Sequence, residues 1–202
     1  MKINKASKFS DTFLDTLYGR CRFLAYKQND QKMAYAMVFG EKPLTNHVIC
    51  RIHSACITAE SFLATNCDCR EQLEKAMRLV SKNTGIIIHL PQEGRGNGIE
   101  AKLKQIELES TNPELDTISA FLRCGYPSDN RNYEVAVQIL KDLGIESVVL
   151  YTSNPHKISA LEKSGIKVDK RIDFALEIDH QHAHKNIRAK EKFFNYFKKP
   201  SE

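Results

Sequence analysis

Between residues 70 and 90 the apolar residues of this chain change their period, and no other feature constrains the fold as much. Leu73, Ala76, Met77 and Val80 recur at helical spacing; Gly85 then opens the run Ile86-Ile87-Ile88-His89-Leu90, which reads as a buried strand. The same alternation returns later. Tyr133, Ala136, Ile139, Leu140 and Leu143 mark a helix closed by Gly144. Ser147-Val148-Val149-Leu150-Tyr151 reads as a strand, and His156 to Lys163 as a short helix ending at Gly165. Upstream, the apolar runs Arg22 to Tyr26, Met33 to Phe39 and His47 to His53 are separated by Asn29-Asp30 and Glu41-Lys42-Pro43, which read as turns in a strand meander. Strands that alternate with helices predict an α/β fold, a layered mixed sheet with flanking helices.

At 202 residues, without repeats, low-complexity tracts or a linker, the economical expectation is a single domain over 1–202. Apolar residues make up 42% but never form a block long enough to span a bilayer, so no membrane partner is expected. The start Met1-Lys2-Ile3-Asn4-Lys5-Ala6-Ser7 runs into polar residues instead of an apolar signal core, which places the chain in the cytoplasm. The net charge of +5 is concentrated between Lys185 and Lys199, where six basic residues face the single acid Glu191. With Ile187, Phe193, Phe194 and Phe197 at near-helical spacing, this stretch reads as an ordinary surface helix, and nucleic acid is not an expected partner.

Six cysteines in a reducing compartment point to metal or catalysis where they cluster. Cys21 and Cys50, alone inside apolar runs, read as small hydrophobes. Cys56, Cys67 and Cys69 form a C-x10-C-x-C arrangement with His53 just upstream. Three readings fit: the three ligands of a catalytic zinc with one open position, a structural zinc closed by His53, or three unrelated buried thiols. Gln92-Glu93-Gly94-Arg95-Gly96-Asn97-Gly98 follows a strand, where glycines let a backbone approach phosphate, yet it matches neither a Walker loop nor a dinucleotide fingerprint. In Thr152-Ser153-Asn154-Pro155, free N–H groups of a helix start could face an anion near Lys157, or the side chains could simply cap the helix. Asp129 and Arg131 stand just before a predicted helix. They read either as a shared site or, favoured on residue types alone, as an N-cap and a solvated first-turn arginine.

Taken in order, Arg51-Ile52-His53-Ser54-Ala55-Cys56, Asn66-Cys67-Asp68-Cys69-Arg70-Glu71-Gln72-Leu73, Gln92-Glu93-Gly94-Arg95, Asp116-Thr117, Asp129-Asn130-Arg131-Asn132-Tyr133 and Thr152-Ser153-Asn154-Pro155-His156-Lys157 resemble GTP cyclohydrolase II over residues 15 to 175. The resemblance implies a zinc-activated water that attacks C8 of the guanine, with release of formate and pyrophosphate, at the entry to flavin synthesis. It implies that Cys56, Cys67 and Cys69 hold zinc, that Asp129 accepts a proton and that Arg131 engages the α-phosphate. Arg51, His53, Ser54, Gln72, Glu93, Gly94, Arg95, Thr117, Thr152 and Lys157 would bind GTP or a related purine nucleotide. Magnesium with the triphosphate and a homodimer are implied in the same way.

Some positions depart from the family pattern. Ala55 replaces a glutamate, Ile106 a tyrosine and Phe121 an asparagine; Asn97 stands where an apolar residue is usual, and Asp173 to His184 lacks the usual pattern. The departures keep two alternatives open: a paralogue with an altered purine nucleotide or a partial reaction, and a zinc-containing nucleotide-binding protein without turnover.

Overall fold

The computed structural model describes residues 5–28, 32–40, 44, 46–173, 188–189, 191–194 and 196. These fall into two compact units: one comprises residues 1–53, 73–91 and 132–174, the other 54–72, 92–131 and 175–202. Both expected turns, Asn29-Asp30 and Glu41-Lys42-Pro43, lie outside the described residues, as does nearly all of Asp173 to His184.

The first unit is built on a seven-stranded mixed sheet. Its strands are β1 (Ala6–Thr16), β2 (Gly19–Gln28), β3 (Met33–Phe39), β4 (Val48–Ser54), β5 (Gly85–Leu90), β6 (Ser147–Tyr151) and β7 (Lys167–Ile172), in the spatial order β1-β2-β3-β5-β4-β6-β7. β1, β2, β3 and β5 pair antiparallel, whereas β4, β6 and β7 pair parallel. The run at His47 to His53 therefore does not continue a meander: β5 lies between β3 and β4. Both β4 and β5 are buried along most of their length on two faces and take the centre, where each face can be covered; on one face of β4 the buried residues include Arg51 and His53.

The period-2 rule shows which face is covered by what. Ile86, Ile88 and Leu90 of β5 join Ile139 and Leu140 of α5 (Glu134–Asp142) and Leu161 of α6 (Pro155–Lys163) in one buried cluster. Ile87 points the other way, to Ala76, Met77 and Val80 of α2 (Cys69–Ser81). Cys21 and Cys50 are buried within these clusters, the small-hydrophobe role expected of them. β1 and β7, not foreseen from the periodicity, are the two edges. β1 leaves Phe9, Phe13 and Leu14 exposed, so its side chains lack the alternation that signals a half-buried strand.

The second unit contains α1 (Ile57–Glu60), the first turn of α2, a 3₁₀ turn at Glu93–Gly96, α3 (Ile99–Thr111), α4 (Thr117–Arg123) and a loop to Arg131. Ala101 of α3 and Ile118, Ala120 and Phe121 of α4 are buried. Of the basic C-terminal stretch, residues 188, 189 and 191–194 are helical. No helix among the described residues is long and apolar enough to cross a membrane.

Candidate active site

In the second unit, Cys56, Cys67 and Cys69 converge, with their sulfurs within 4.8 Å of one another and none in a disulfide. Cys56 is held from both sides. Its own N–H donates to Glu60 Oε1 at 2.8 Å, and the next N–H, of Ile57, donates to Glu93 Oε1 at 2.6 Å. Cys67 Sγ lies 3.6 Å from Cys56 Sγ, and Thr58 Oγ1 lies 3.5 Å from it. Cys69 opens α2, where the partial positive charge of a helix start favours a thiolate.

The electrostatics of the triad state what it lacks. Hydrogen bonds from Cys67 and Cys69 hold the Cys56 thiol far below the ordinary thiol range, while the same contacts push Cys67 up and Cys69 well up. The donor set is soft and numbers three, which fits zinc with one position open, and no histidine among the described residues belongs to this cluster. Burial raises the Glu93 carboxyl, and the nearby Cys56 and Glu60 act in the same direction.

A second group lies in the same unit. Asp129 accepts from Arg131 Nε and Nη2 at 2.9 and 2.5 Å, and from Arg95 Nη2 at 2.8 Å. Arg95 Nε also donates to Ser128 O at 2.8 Å. Burial pushes the Asp129 carboxyl up, but the Arg131 hydrogen bonds and the charges of both arginines outweigh it and hold the pKa at about 2. The N-cap reading is thereby corrected: α5 starts at Glu134 with Tyr133 in the cap position, and Arg131 is half-buried in an ion pair instead of solvated.

The turn between the groups depends on its backbone. Gly94 and Arg95 both take left-handed conformations, at φ 55° and 58°, and Asn130 N–H donates to Arg95 O at 2.9 Å. Gly96 is needed because a Cβ there would lie 2.6 Å from Asn130 O. Thr117 is the first residue of α4, whose Asp116 cap accepts from Ile118 and Ser119 N–H. Gln72 Nε2 donates to Asp68 Oδ2 at 2.7 Å, and Ser54 Oγ is buried without a hydrogen-bond partner among the described residues.

Four expected site residues lie in the first unit, three of them around the carboxyl ends of the parallel strands β4 and β6, the usual ligand edge of such sheets. Arg51 Nη1 donates to Tyr151 O at 3.1 Å, and His53 stacks on His89 with centroids 5.5 Å apart. Thr152 Oγ1 accepts from Asn154 N–H, and Asn154 Oδ1 accepts from His156 N–H, so the α6 start is capped by its own side chains. Lys157, on α6, is buried and donates to Ile52 O at 2.8 Å.

Sequence reasoning passed over several residues that this geometry brings in. Glu60 carries a signal, four residues after Cys56 on a short helix. Lys102 does not: it is 7% exposed, packs on Gly94 and donates to Gln105 Oε1 at 3.0 Å. Tyr196 hydrogen-bonds Arg131 from 65 residues away, a separation no local pattern reveals.

A family model described as GTP cyclohydrolase II matches residues 7–173. GTP cyclohydrolase-2 of Picrophilus torridus is 36% identical over 81% of this chain and 85% of its own length, and that of Pasteurella multocida is 36% identical over 83% and 77%. Riboflavin biosynthesis protein RibBA of Chlorobium phaeovibrioides is 37% identical over 81% of this chain, which spans only 40% of that relative. A solved structure of RibBX, a two-domain 3,4-dihydroxy-2-butanone 4-phosphate synthase from A. baumannii, matches 85% of this chain and 40% of that chain at 18% identity and a TM-score of 0.46, too distant to bear on the site. With 167 of its 202 residues under the family model and relatives above 30% identity, the chain belongs to the GTP cyclohydrolase II family.

Proposed function

We propose that this chain is a zinc-dependent GTP cyclohydrolase II, which opens the guanine imidazole of GTP, releases formate and pyrophosphate, and yields a diaminopyrimidinone ribosylamino phosphate for riboflavin biosynthesis. The observation that carries the reading is the trio of mutually contacting cysteines, pinned at Cys56 by Glu60 and Glu93. Zinc held by Cys56, Cys67 and Cys69 supplies a nucleophile from water near neutral pH. Glu93 and Glu60 fix the backbone at Cys56 and so the position of its sulfur. Arg95 and Arg131 offer guanidinium charge to phosphate oxygens, and magnesium bound with the triphosphate would shield the rest. Asp129 is a weak base while both guanidiniums hold it at about 2; when phosphate draws Arg131 away, its basicity rises toward the ordinary 3.8 and it can take a proton. Arg51, Thr152 and Lys157 serve the nucleotide from the carboxyl ends of β4 and β6.

One observation favours a second reading. Phe121, where the family has asparagine, is fully buried and offers a ligand nothing polar, while Ile106 replaces a phenol on α3. An altered purine nucleotide or a truncated reaction suits that loss. Mass spectrometry of products after incubation of the zinc-loaded protein with GTP and magnesium decides between them. Formate and pyrophosphate appearing with loss of GTP support the first reading; pyrophosphate without formate, or unchanged GTP beside turnover of another purine nucleotide, supports the second.

A further inference from the structure

The C-terminal stretch is not a detached surface helix. Phe194 lays its ring against the Arg95 guanidinium, 4.5 Å from the centroid, and Tyr196 Oη accepts a hydrogen bond from Arg131 Nη2 at 3.0 Å. The two rings also meet, with centroids 6.1 Å apart. Both arginines that flank Asp129 are therefore touched by one short segment of the same unit.

The hydrogen-bond inventory shows what this cluster still has to give. A phenol has one O–H to donate besides its lone pairs, and a guanidinium has five N–H donors. Tyr196 uses a lone pair on Arg131, and its own hydrogen has no acceptor among the described residues. Arg95 spends Nε on Ser128 O and Nη2 on Asp129, leaving Nη1 without a hydrogen-bond partner among the described residues. Stacking on Phe194 fixes the plane in which Nη1 lies, which reduces the rotamer freedom lost on binding. Both guanidiniums converge on the single carboxylate of Asp129. The Tyr196 and Arg95 donors without acceptors and an ordered guanidinium plane together call for an anion with several oxygens.

We propose that Tyr196 and Phe194 are nucleotide-binding residues: the Tyr196 hydroxyl donates to a phosphate oxygen, and Phe194 holds Arg95 in plane for the same polyphosphate. This rests on the proposed reading of the chain as a guanine nucleotide enzyme, but it concerns affinity for phosphate and not the ring-opening step. The C-terminal segment thus completes the site instead of blocking it.

The test is calorimetric titration of the whole zinc-loaded chain with GTP, inorganic tripolyphosphate and guanosine, for the native protein, Tyr196→Phe and Phe194→Leu. Tyr196→Phe keeps the ring and removes the hydroxyl, which takes away the free O–H donor together with the lone pair that accepts from Arg131. It should weaken GTP and tripolyphosphate by about 10-fold or more, the loss of a hydrogen bond to a charged group, while guanosine affinity and melting temperature stay as in the native chain. Phe194→Leu should weaken the same two ligands by a smaller factor. Equal or tighter GTP binding by Tyr196→Phe overturns the proposal and makes the segment a cover that must leave. Failure of the native chain to bind GTP overturns it too. Native GTP binding without formate release refutes the cyclohydrolase reading alone and leaves the affinity ratios to decide this one.

Discussion

Asp129→Asn is the substitution whose consequences the structure lets one work out most fully. The carboxyl is held at about 2 against an ordinary 3.8, which makes ionised Asp129 a stabiliser of about 2 kcal/mol. Asparagine keeps the shape and loses the charge. Arg95 and Arg131, with side chains 10% and 11% exposed, then lose the carboxylate charge they share, which adds to the loss. The expected destabilisation at pH 7 is about 2 to 4 kcal/mol, or roughly 5 to 15 °C in melting temperature for a chain of this size. Because the folded pKa is depressed, the stabilisation is complete above the unfolded value and is lost as pH falls through 3.8 toward 2. Melting curves collected from pH 7 to pH 2 should therefore show the native protein losing its advantage below about pH 4, with the two proteins converging near pH 2. An Asp129→Asn protein that melts with the native one at pH 7, or that runs parallel to it down to pH 2, would refute the assigned charge balance.

Three further outcomes are expected. Elemental analysis should find about one zinc per native chain; Cys67→Ser or Cys69→Ser should lose most of it and Cys124→Ser should keep it, whereas equal loss in all three would sink the assignment. Lys102→Met removes a buried ammonium whose charge lowers the Cys56 and Cys67 thiols, so a chelator should strip metal from the variant at lower concentration than from the native chain, and identical competition curves would exclude that role. Ile106→Tyr, alone or with Ala55→Glu, should raise formate release from GTP by up to the ~10²-fold typical of a restored acid–base group, while native release already at an ordinary enzyme rate would show that position 106 does not limit the reaction.

The parts of the fold that were legible in sequence are those whose side chains are sorted by a strong burial contrast. β5 and β6 read correctly because they are apolar on both faces, and α2 and α5 because one apolar stripe packs on the sheet. β1 was illegible for the opposite reason: at a sheet edge most of its residues are exposed, phenylalanines included. The order of the strands was equally hidden, since the insertion of β5 between β3 and β4 follows from which strands need cover and not from any local pattern. In the site, contiguous motifs announced the cysteines, Glu93, Asp129 and Arg131. Residue types alone, however, favoured capping for Asp129, because the distant partner Arg95 that changes its role is 34 positions away. At α6 the modest reading was the observed one: Asn154 caps the helix.

The residues Glu93, Gly94, Arg95 and Gly96 explain why one short turn appears among the family motifs at all. Within the second unit the triad brings three soft sulfur donors together. The Arg95–Asp129–Arg131 group brings two guanidiniums onto one carboxylate. Glu93 reaches the first group through Ile57 N–H and Arg95 reaches the second through Asp129, so residues two apart in sequence serve two different groups. An extended pair at that spacing would send both side chains to one face. The left-handed Gly94 and Arg95 break that rule, and a non-glycine residue at φ 58° costs about 1 kcal/mol or more. Two bonds offset it: Asn130 N–H to Arg95 O, and Arg95 Nε to Ser128 O. The strained residue is thus the one whose side chain and carbonyl are both anchored by the loop that carries Asp129. The backbone strain at Arg95 is what lets Glu93 and Arg95, two residues apart, reach two different groups.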